Sequence, residues 1–269
     1  MAVPRLPPVL LLLLSFALGS AGQAGLYPAQ DSGERIINGV VCPRGSHPWQ
    51  VALYDNNKFQ CAGVLVNQQW VLTVAHCHQR YGTGPPAPLH YIVQMGSDLL
   101  VDGRAQRIRA TESFVHPRFI NGTNDHDIML VKMRNPATLS PTVNTIDLPS
   151  SCKGRGTSCT VSGWGITTMD AAAKKSSELM CSNVNIISYQ ECKQSYRPLL
   201  KKYMLCTAPR DGLSNSCKGD SGNPLICEGS LQGLVSAGYI PCTLPFKPVI
   251  YTRICMYRKW LYNTMKANS

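Results

Sequence analysis

Three short segments of the chain carry side chains suited to nucleophilic catalysis. His76 follows an apolar run and precedes a cysteine, Asp127 opens a second apolar run, and Ser221 stands in a glycine-flanked loop. A serine hydroxyl is a weak nucleophile and needs a base such as histidine to take its proton. A buried carboxylate holds the imidazole in the correct tautomer and stabilises the imidazolium that forms. Together the segments predict acyl transfer from a serine nucleophile.

The loop around the serine also offers backbone donors. The tetrahedral intermediate of acyl transfer carries an oxyanion, which preorganised N–H groups stabilise. A glycine-rich bend can turn the N–H groups of Gly219 and Ser221 toward one point, so we expect them to form an oxyanion hole. No single segment is specific, since a histidine beside a cysteine is more often structural and an aspartate before a strand is usually a turn residue.

The elements that must position these residues are predicted to be strands. Short runs rich in β-branched and aromatic residues recur between Gly, Pro, Asn and Asp, which predicts an all-β sandwich or barrel. The predicted strands are residues 50–54, 62–66, 90–94, 128–131, 159–162, 183–187, 224–227, 231–235 and 249–252. Only the stretch from Cys255 onward is predicted helical, because its large apolar residues lie four apart.

The first residues are predicted to be removed rather than folded. A start with Arg5 as its only charge, a short apolar run and a small-residue end are typical of a signal peptide, here residues 1–22. The apolar run is shorter than the roughly 20 residues that span a bilayer, which disfavours the alternative of a membrane anchor. We therefore expect a secreted, extracellular protein without membrane association.

Cysteine content and charge narrow the class of protein further. Twelve cysteines behind a signal peptide predict six disulfides, although spacing alone leaves their partners open. No Cys-x-x-Cys pair is present, so we expect no metal and no cofactor. The net charge of +11 favours acidic partners through salt-sensitive steering. A glycosaminoglycan is the extracellular candidate and nucleic acid is not expected; the alternative is a solvated basic surface without a partner.

In the chain order His, Asp, Ser, the three segments resemble the trypsin-like serine peptidases, and most closely the kallikrein-related peptidases. The resemblance covers the whole mature length. The motifs that carry it are RIING at 35–39, SHPWQ at 46–50, TVAHC at 73–77, SGWG at 162–165 and GDSG at 219–222, with residues 45–53, 96–98, 105–108 and 231–236 indicating the subgroup.

The resemblance implies a chymotrypsin fold, with two six-stranded antiparallel Greek-key barrels, a C-terminal helix and the active site between the barrels. The implied layout is a signal peptide at 1–22, an activation propeptide at 23–35 and a peptidase domain at 36–269, with barrels at about 36–145 and 146–254 and the helix at 255–266. The implied disulfides join Cys42 with Cys181, Cys61 with Cys77, Cys152 with Cys255, Cys159 with Cys227, Cys192 with Cys206, and Cys217 with Cys242.

The resemblance also implies activation by proteolysis and a pocket for the substrate. Cleavage after Arg35 by a trypsin-like protease frees the α-amino group of Ile36 to pair with Asp220. The substrate pocket is implied to contain Asn215 at its base, with Ser216, Ser236, Gly238 and Val249. Ser236 is also implied to hydrogen-bond the catalytic aspartate, and the strand through Gly238 to bind the substrate backbone.

The pocket residues predict a specificity other than tryptic. Asn215 is neutral where trypsins have Asp, so a buried Arg or Lys of the substrate lacks its partner. Val249 stands where glycine is usual and partly fills the pocket, which favours Leu, Met, Val or Ala over Tyr and Phe, with the aromatic residues as the alternative. Ala237 replaces tryptophan, which removes an aromatic wall from the neighbouring subsites.

Asn223 is a further departure, in the loop of the serine. It replaces the last glycine of the family's Gly-Asp-Ser-Gly-Gly-Pro, and asparagine is among the cheaper residues there if the position needs a positive φ. Its side chain adds bulk beside the oxyanion loop. A calcium loop is not expected, because the segment 96–98 lacks the Glu that trypsins place after the glycine.

Asn121 is predicted to carry a glycan, because residues 121–123 form the single N-x-S/T site, in a loop implied to overhang the cleft. Expected partners are extracellular protein substrates, the activating trypsin-like protease, and serpin or Kazal-type inhibitors, and we expect a monomer. The alternative function is a catalytically silent homologue that binds partners through its basic surface. Such homologues usually lose the His or the Ser, and both are present here.

Overall fold

The structure, a computed structural model, describes residues 39–78, 91–165, 176–210, 220–238 and 247–269. Within them most of the regular secondary structure is strand, as the β-branched and aromatic runs predict. The strands are β1 (Val40–Val41), β2 (Gln50–Asp55), β3 (Lys58–Asn67), β4 (Trp70–Thr73), β5 (Ile92–Met95), β6 (Gln106–Val115), β7 (Met129–Met133), β8 (Ser158–Gly163), β9 (Met180–Ile186), β10 (Met204–Pro209), β11 (Pro224–Cys227), β12 (Ser230–Ala237) and β13 (Val249–Arg253).

Strands β2 to β7 form a closed antiparallel barrel in the order β2-β3-β4-β7-β6-β5. The barrel closes because β2 pairs with β3 on one side and with β5 on the other. Alternate side chains of each strand point inward, and they are mostly branched aliphatic residues and methionines. The interior includes Val51, Leu53, Leu65, Val71, Val93, Met95, Met129, Val131 and Met133.

Strands β8 to β13 form a second closed antiparallel barrel in the order β9-β10-β13-β12-β11-β8, in which β8 pairs back onto β9. Strand β1 adds to the edge of β9 with Val40 opposite Cys181, so the first described strand belongs to the sheet of the second barrel. The interior includes Val161, Met180, Val184, Leu205, Leu225, Val235, Val249 and Tyr251. The predicted class, two six-stranded antiparallel barrels, is confirmed.

The helices are α1 (Tyr189–Tyr196) and α2 (Arg258–Ala267), with 3-10 turns at Ala75–His78 and Ile254–Tyr257. The prediction that only the C-terminal stretch is helical is wrong. Helix α1 is short and polar, so it lacks an apolar periodicity, but the side chain of Ser188 accepts a hydrogen bond from the backbone nitrogen of Glu191 at 3.1 Å. The Ser-x-x-Glu pattern of a capping box is the sequence signal for this helix.

The C-terminal helix begins at Arg258 rather than at Cys255, because the residues before it form a 3-10 turn. Its buried Leu261 packs with Tyr257 and Ile254 against both barrels. Among the described residues, no helix has the length and apolar character needed to cross a bilayer.

Five of the six implied disulfides are formed within the described residues, and each stabilises a secreted domain by about 2–4 kcal/mol. They join Cys42 with Cys181, Cys61 with Cys77, Cys152 with Cys255, Cys159 with Cys227, and Cys192 with Cys206. The sixth implied pair, Cys217 with Cys242, lies outside the described residues.

Candidate active site

His76 lies in the 3-10 turn that directly follows β4. Every residue of Trp70–Thr73 is buried, so the strand fixes the point at which the turn begins. The disulfide between Cys61 and Cys77 ties the turn to the neighbouring strand β3. The imidazole side chain is 24% exposed, so one edge is accessible from solvent while the other faces the protein.

Asp127 precedes β7 and is 1% exposed. Its Oδ1 atom accepts a hydrogen bond from the backbone nitrogen of His76 at 2.9 Å. Its Oδ2 atom accepts one from the hydroxyl of Ser236 at 2.5 Å and lies 2.8 Å from Nδ1 of His76. The backbone oxygen of Asp127 accepts a hydrogen bond from the hydroxyl of Thr252 at 2.6 Å, a contact for which the sequence gives no signal. These donors fix the carboxylate against the imidazole.

Ser221 lies in a tight turn before β11. The backbone nitrogen of Asn223 donates to the oxygen of Asp220 at 2.9 Å, which closes the turn around the serine. Gly222 has a φ of +81°, the left-handed value that the third residue of a type II turn requires. The serine is thereby held at the tip of the turn, where its hydroxyl can face the histidine.

The three side chains form one chain of hydrogen bonds. Nε2 of His76 lies 2.8 Å from the hydroxyl oxygen of Ser221, and Nδ1 faces Asp127. An ionised carboxylate only accepts hydrogen bonds, so the proton of the neutral ring belongs on Nδ1. Nε2 then carries the lone pair toward the serine hydroxyl. The arrangement can therefore remove the proton of the serine.

Aromatic rings pack behind Asp127. His126 stacks on Tyr203 with their ring centroids 4.0 Å apart, and its Nδ1 atom lies 3.1 Å from the hydroxyl oxygen of Tyr257. Burial lowers the pKa of His126. Burial, together with the charges of Tyr203 and Asp127, raises the pKa of Tyr257. Both side chains are therefore neutral at pH 7 and add no second charge beside the aspartate.

The end of β12 leads to the surface of the protein. The backbone oxygen of Ser236 accepts a hydrogen bond from Nδ2 of Asn124 at 3.1 Å, which the sequence did not lead us to expect. Ala237 is the last residue of the strand, and Gly238 follows it. Gly238 is exposed, and a Cβ built on it meets no described atom within 4 Å.

Val249, the residue expected to narrow the substrate pocket, is 3% exposed at the start of β13. Its side chain packs with Val235 and Tyr251 inside the second barrel. The next residue, Ile250, packs on the opposite side with the cluster around α1, as strand alternation requires. The isopropyl group therefore lies within the barrel and not on its outer surface.

Asp220 is fully buried beside the serine, with 0% exposure. Its Oδ1 atom accepts hydrogen bonds from the backbone nitrogen of Gly165 at 3.1 Å and from Nδ2 of Asn223 at 2.5 Å. The positive φ considered for Asn223 falls on Gly222 instead, and Asn223 is not among the positive-φ residues of the described chain. Sequence reasoning expected only bulk from Asn223 and missed its hydrogen bond to Asp220.

The predicted glycosylation site lies within the described residues, whereas several predicted site residues lie outside them. Asn121 is exposed, in a turn closed by the bridge between Ile120 and Asp125. The predicted residues that lie outside the described ranges are Arg35, Ile36, Asn215, Ser216 and Gly219.

The two barrels and the Asp–His–Ser chain between them are the architecture of trypsin-like serine endopeptidases. The family model described as Trypsin matches residues 36–261, and the chain belongs to this family. Kallikrein-7 of Homo sapiens is 48% identical over 268 residues, with 100% of each chain covered. Kallikrein-11 of Mus musculus is 42% identical over 240 residues, with 87% of this chain and 83% of the relative covered.

A solved structure gives the same assignment. Neuropsin, a serine protease expressed in the limbic system of mouse brain, superposes with a TM-score of 0.77 at 37% identity, covering 85% of this chain and 99% of the other. The resemblance to kallikrein-related peptidases is therefore confirmed, and the chain is similar to enzymes of the serine endopeptidase class.

Proposed function

We propose that His76, Asp127 and Ser221 hydrolyse peptide bonds through an acyl-enzyme. His76 takes the hydroxyl proton while Ser221 Oγ attacks the substrate carbonyl, and the protonated ring then gives that proton to the leaving amine. A water activated by the same imidazole releases the acyl group. The observation that carries the proposal is the hydrogen-bond chain, 2.8 Å from Asp127 Oδ2 to His76 Nδ1 and 2.8 Å from Nε2 to Ser221 Oγ.

The oxyanion formed in each step needs donors on the side of the serine away from the histidine. We assign these to the backbone N–H groups of Gly219 and Ser221. The tight turn of residues 220–223, with Gly222 at a φ of +81°, supports the assignment of Ser221 because it fixes the direction of the peptide group of the serine.

Covalent labelling tests the proposed nucleophile. After activation, a fluorophosphonate is expected to label the wild-type enzyme on Ser221 and to leave Ser221→Ala unlabelled. Labelling of neither protein favours the alternative of a silent homologue that binds partners through its basic surface. Labelling of the alanine variant to the same extent assigns the nucleophile to another residue.

The enzyme is made as a secreted zymogen in this proposal. A signal peptide at 1–22 directs export, and a trypsin-like protease removes residues 23–35 by cleavage after Arg35. The new α-amino group of Ile36 pairs with Asp220. The full burial of Asp220 supports this step, because a buried carboxylate is costly without a compensating charge.

Primary specificity follows from the assigned pocket. Asn215 at its base offers no charge to Arg or Lys, so cleavage after basic residues is disfavoured. Val249 adds an isopropyl group on the inner face of the second barrel, beside Val235 and Tyr251. We propose cleavage after medium apolar residues, Leu, Met, Val or Ala, with Tyr and Phe as the second choice. The exposure of Gly238 supports a role for this strand in binding the substrate backbone.

The partners of the secreted enzyme follow from this role. We propose extracellular proteins as substrates, serpin or Kazal-type proteins as inhibitors, and a monomeric enzyme. The net charge of +11 supports an additional acidic partner such as a glycosaminoglycan. This last assignment is tested by measuring retention on a heparin column as the salt concentration rises. Retention on a cation-exchange column of equal charge density is the comparison, and a steeper fall on heparin supports the assignment.

A further inference from the structure

Asn223 is a buried amide at a position where a glycine is usual. Its side chain is 0% exposed, and its Nδ2 atom donates to Oδ1 of Asp220 at 2.5 Å. A carboxylate only accepts hydrogen bonds, so the amide nitrogen and not the amide oxygen must face it. Oδ1 of Asn223 has no hydrogen-bond partner among the described residues. The orientation of the amide is therefore set by Asp220.

The motif Ser162–Gly165 provides the space for this pair. A Cβ on Gly163 lies only 1.6 Å from Nδ2 of Asn223, and a Cβ on Gly165 lies 2.2 Å from Oδ1 of Asp220. Neither position tolerates a side chain. One glycine accommodates the amide and the other the carboxylate, so the two groups are confined side by side.

The pair is coupled directly to the nucleophile. Asp220 and Asn223 are the first and last residues of the turn that carries Ser221, and the backbone nitrogen of Asn223 donates to the oxygen of Asp220 at 2.9 Å. The side-chain bond therefore closes the same turn a second time. The backbone oxygen of Asn223 also accepts a hydrogen bond from Val235 at 2.9 Å, which fixes the turn on β12.

We propose that Asn223 is a positioning residue that holds Asp220 in the orientation of the active serine turn, so that the active state depends less on the α-amino group of Ile36. The inference rests on the proposed activation step. The amide is neutral, so it does not offset the charge of Asp220. It adds a fixed stabilisation to the active orientation both before and after cleavage.

The test compares the mature enzyme with an extended form that keeps one extra residue before Ile36. Both forms are prepared with Asn223 and with the Asn223→Ala substitution, which gives four proteins. Alanine removes the amide without adding the backbone freedom of glycine, and the position does not need a positive φ. The extension is expected to reduce kcat/KM in both backgrounds. The fraction of kcat/KM that the extended form retains is expected to be at least about tenfold lower with Asn223→Ala than with Asn223. The reason is the loss of a hydrogen bond to a charged group. The exposed Asn144→Ala serves as the control and is expected to match the wild type.

The results separate this inference from the activation proposal. An equal loss of activity on extension with and without the amide overturns the role of Asn223 and leaves activation by Ile36 in place. No loss on extension in either background overturns the activation proposal, and with it the inference.

A second readout uses only mature enzyme, which keeps the test decisive if the extended variant folds poorly. Deprotonation of the α-amino group at high pH is expected to end activity. The pH at which half of the activity is lost is expected to be up to one unit lower in Asn223→Ala than in the wild type, because the hydrogen bond from the amide to Asp220 is missing. An unchanged midpoint contradicts the inference. A merely structural role for Asn223 lowers stability but leaves this midpoint in place.

Discussion

The carbonyl oxygen of Ser221 accepts a hydrogen bond from the backbone nitrogen of Ala62 at 2.9 Å. Ala62 belongs to β3 of the first barrel, whereas Ser221 belongs to the turn before β11 of the second. The oxygen of Ala62 in turn accepts from the hydroxyl of Thr73, at the end of the strand that leads to His76. The nucleophile and the base are therefore held on a shared backbone anchor, which explains how side chains from different barrels keep a fixed separation.

Gly222 is expected to be indispensable for this anchor. A Cβ there lies 2.1 Å from the oxygen of Ala62, and its φ of +81° is a strained value for any other residue except Asn or Asp. Gly222→Ala is expected to displace Ser221 and to lower kcat at least about 100-fold in a peptide assay, as misplacement of a reacting group by about 1 Å does. Gly154→Ala, where a Cβ meets no described atom within 4 Å, is the control expected to retain activity. Comparable activity of the two variants contradicts the anchor.

Asp127→Asn is expected to lower kcat by about 10³–10⁴-fold with little change in KM. The asparagine amide donates toward Nδ1 of His76, which moves the ring proton to Nε2 and leaves no lone pair for Ser221. Single-turnover kinetics on a peptide ester measures the loss. Asp147→Asn, at an exposed residue, is the control expected to keep wild-type kinetics. A small effect at Asp127 contradicts the assigned role of the acid.

Stability is expected to fall as the pH drops from about 6.5 to about 4, in part through His116. Burial, followed by repulsion from His126 and Arg118, lowers the pKa of His116 to about 4. The unfolded chain takes up this proton near pH 6.5 and the folded chain does not, so the free energy of unfolding decreases through that window. Because the ring is partly exposed, screening limits the effect to on the order of 1 kcal/mol.

Urea unfolding at pH 7, 5.5 and 4.5 measures this dependence. His116→Phe keeps the ring that packs against Trp260, with centroids 5.0 Å apart in the wild type, but cannot titrate. The variant is expected to lose less stability between pH 7 and pH 4.5 than the wild type. An identical pH dependence in both proteins rules out His116 as a source.

Local patterns predicted the strands of a sandwich or barrel and the three catalytic side chains, whereas the two-barrel architecture was implied by the resemblance to a known family. Apolar runs at the barrel strands and the three motifs are each contained in fewer than ten residues. Three contacts could not be predicted, since they depend on how distant segments meet: Thr252 with Asp127, Asn124 with Ser236, and Asn223 with Asp220. Helix α1 has a local signal, its capping box, but its polar composition conceals the element from a search for apolar periodicity.

A glycan on Asn121 is expected to restrict large substrates. The side chain of Asn124, three residues on, donates to the backbone of Ser236, so the loop that carries the site borders the substrate strand. Thr123→Ala removes the acceptor sequence and is expected to raise kcat/KM for folded proteins relative to short peptides. Thr123→Ser keeps the sequence and is the control. A mass unchanged by peptide N-glycosidase shows that the site is unused, and an unchanged ratio shows that the glycan does not shield the cleft.

Val249 is expected to decide between medium apolar and aromatic substrates. Its isopropyl group lies on the inner face of the second barrel at 3% exposure. We assign the substrate pocket to this face, so the aromatic ring of a substrate overpacks it at a cost of about 1–3 kcal/mol. Val249→Gly is therefore expected to raise the kcat/KM ratio of Tyr over Leu by about tenfold, with some loss of stability because a packed group is removed. Profiling of wild type and variant on a peptide library measures the ratio. Val235→Ala, in the same cluster, controls for loosened packing, and an equal shift there contradicts a specific role of Val249. Dominant cleavage after Arg or Lys by the wild type overturns the assignment of Asn215 to the base of the pocket.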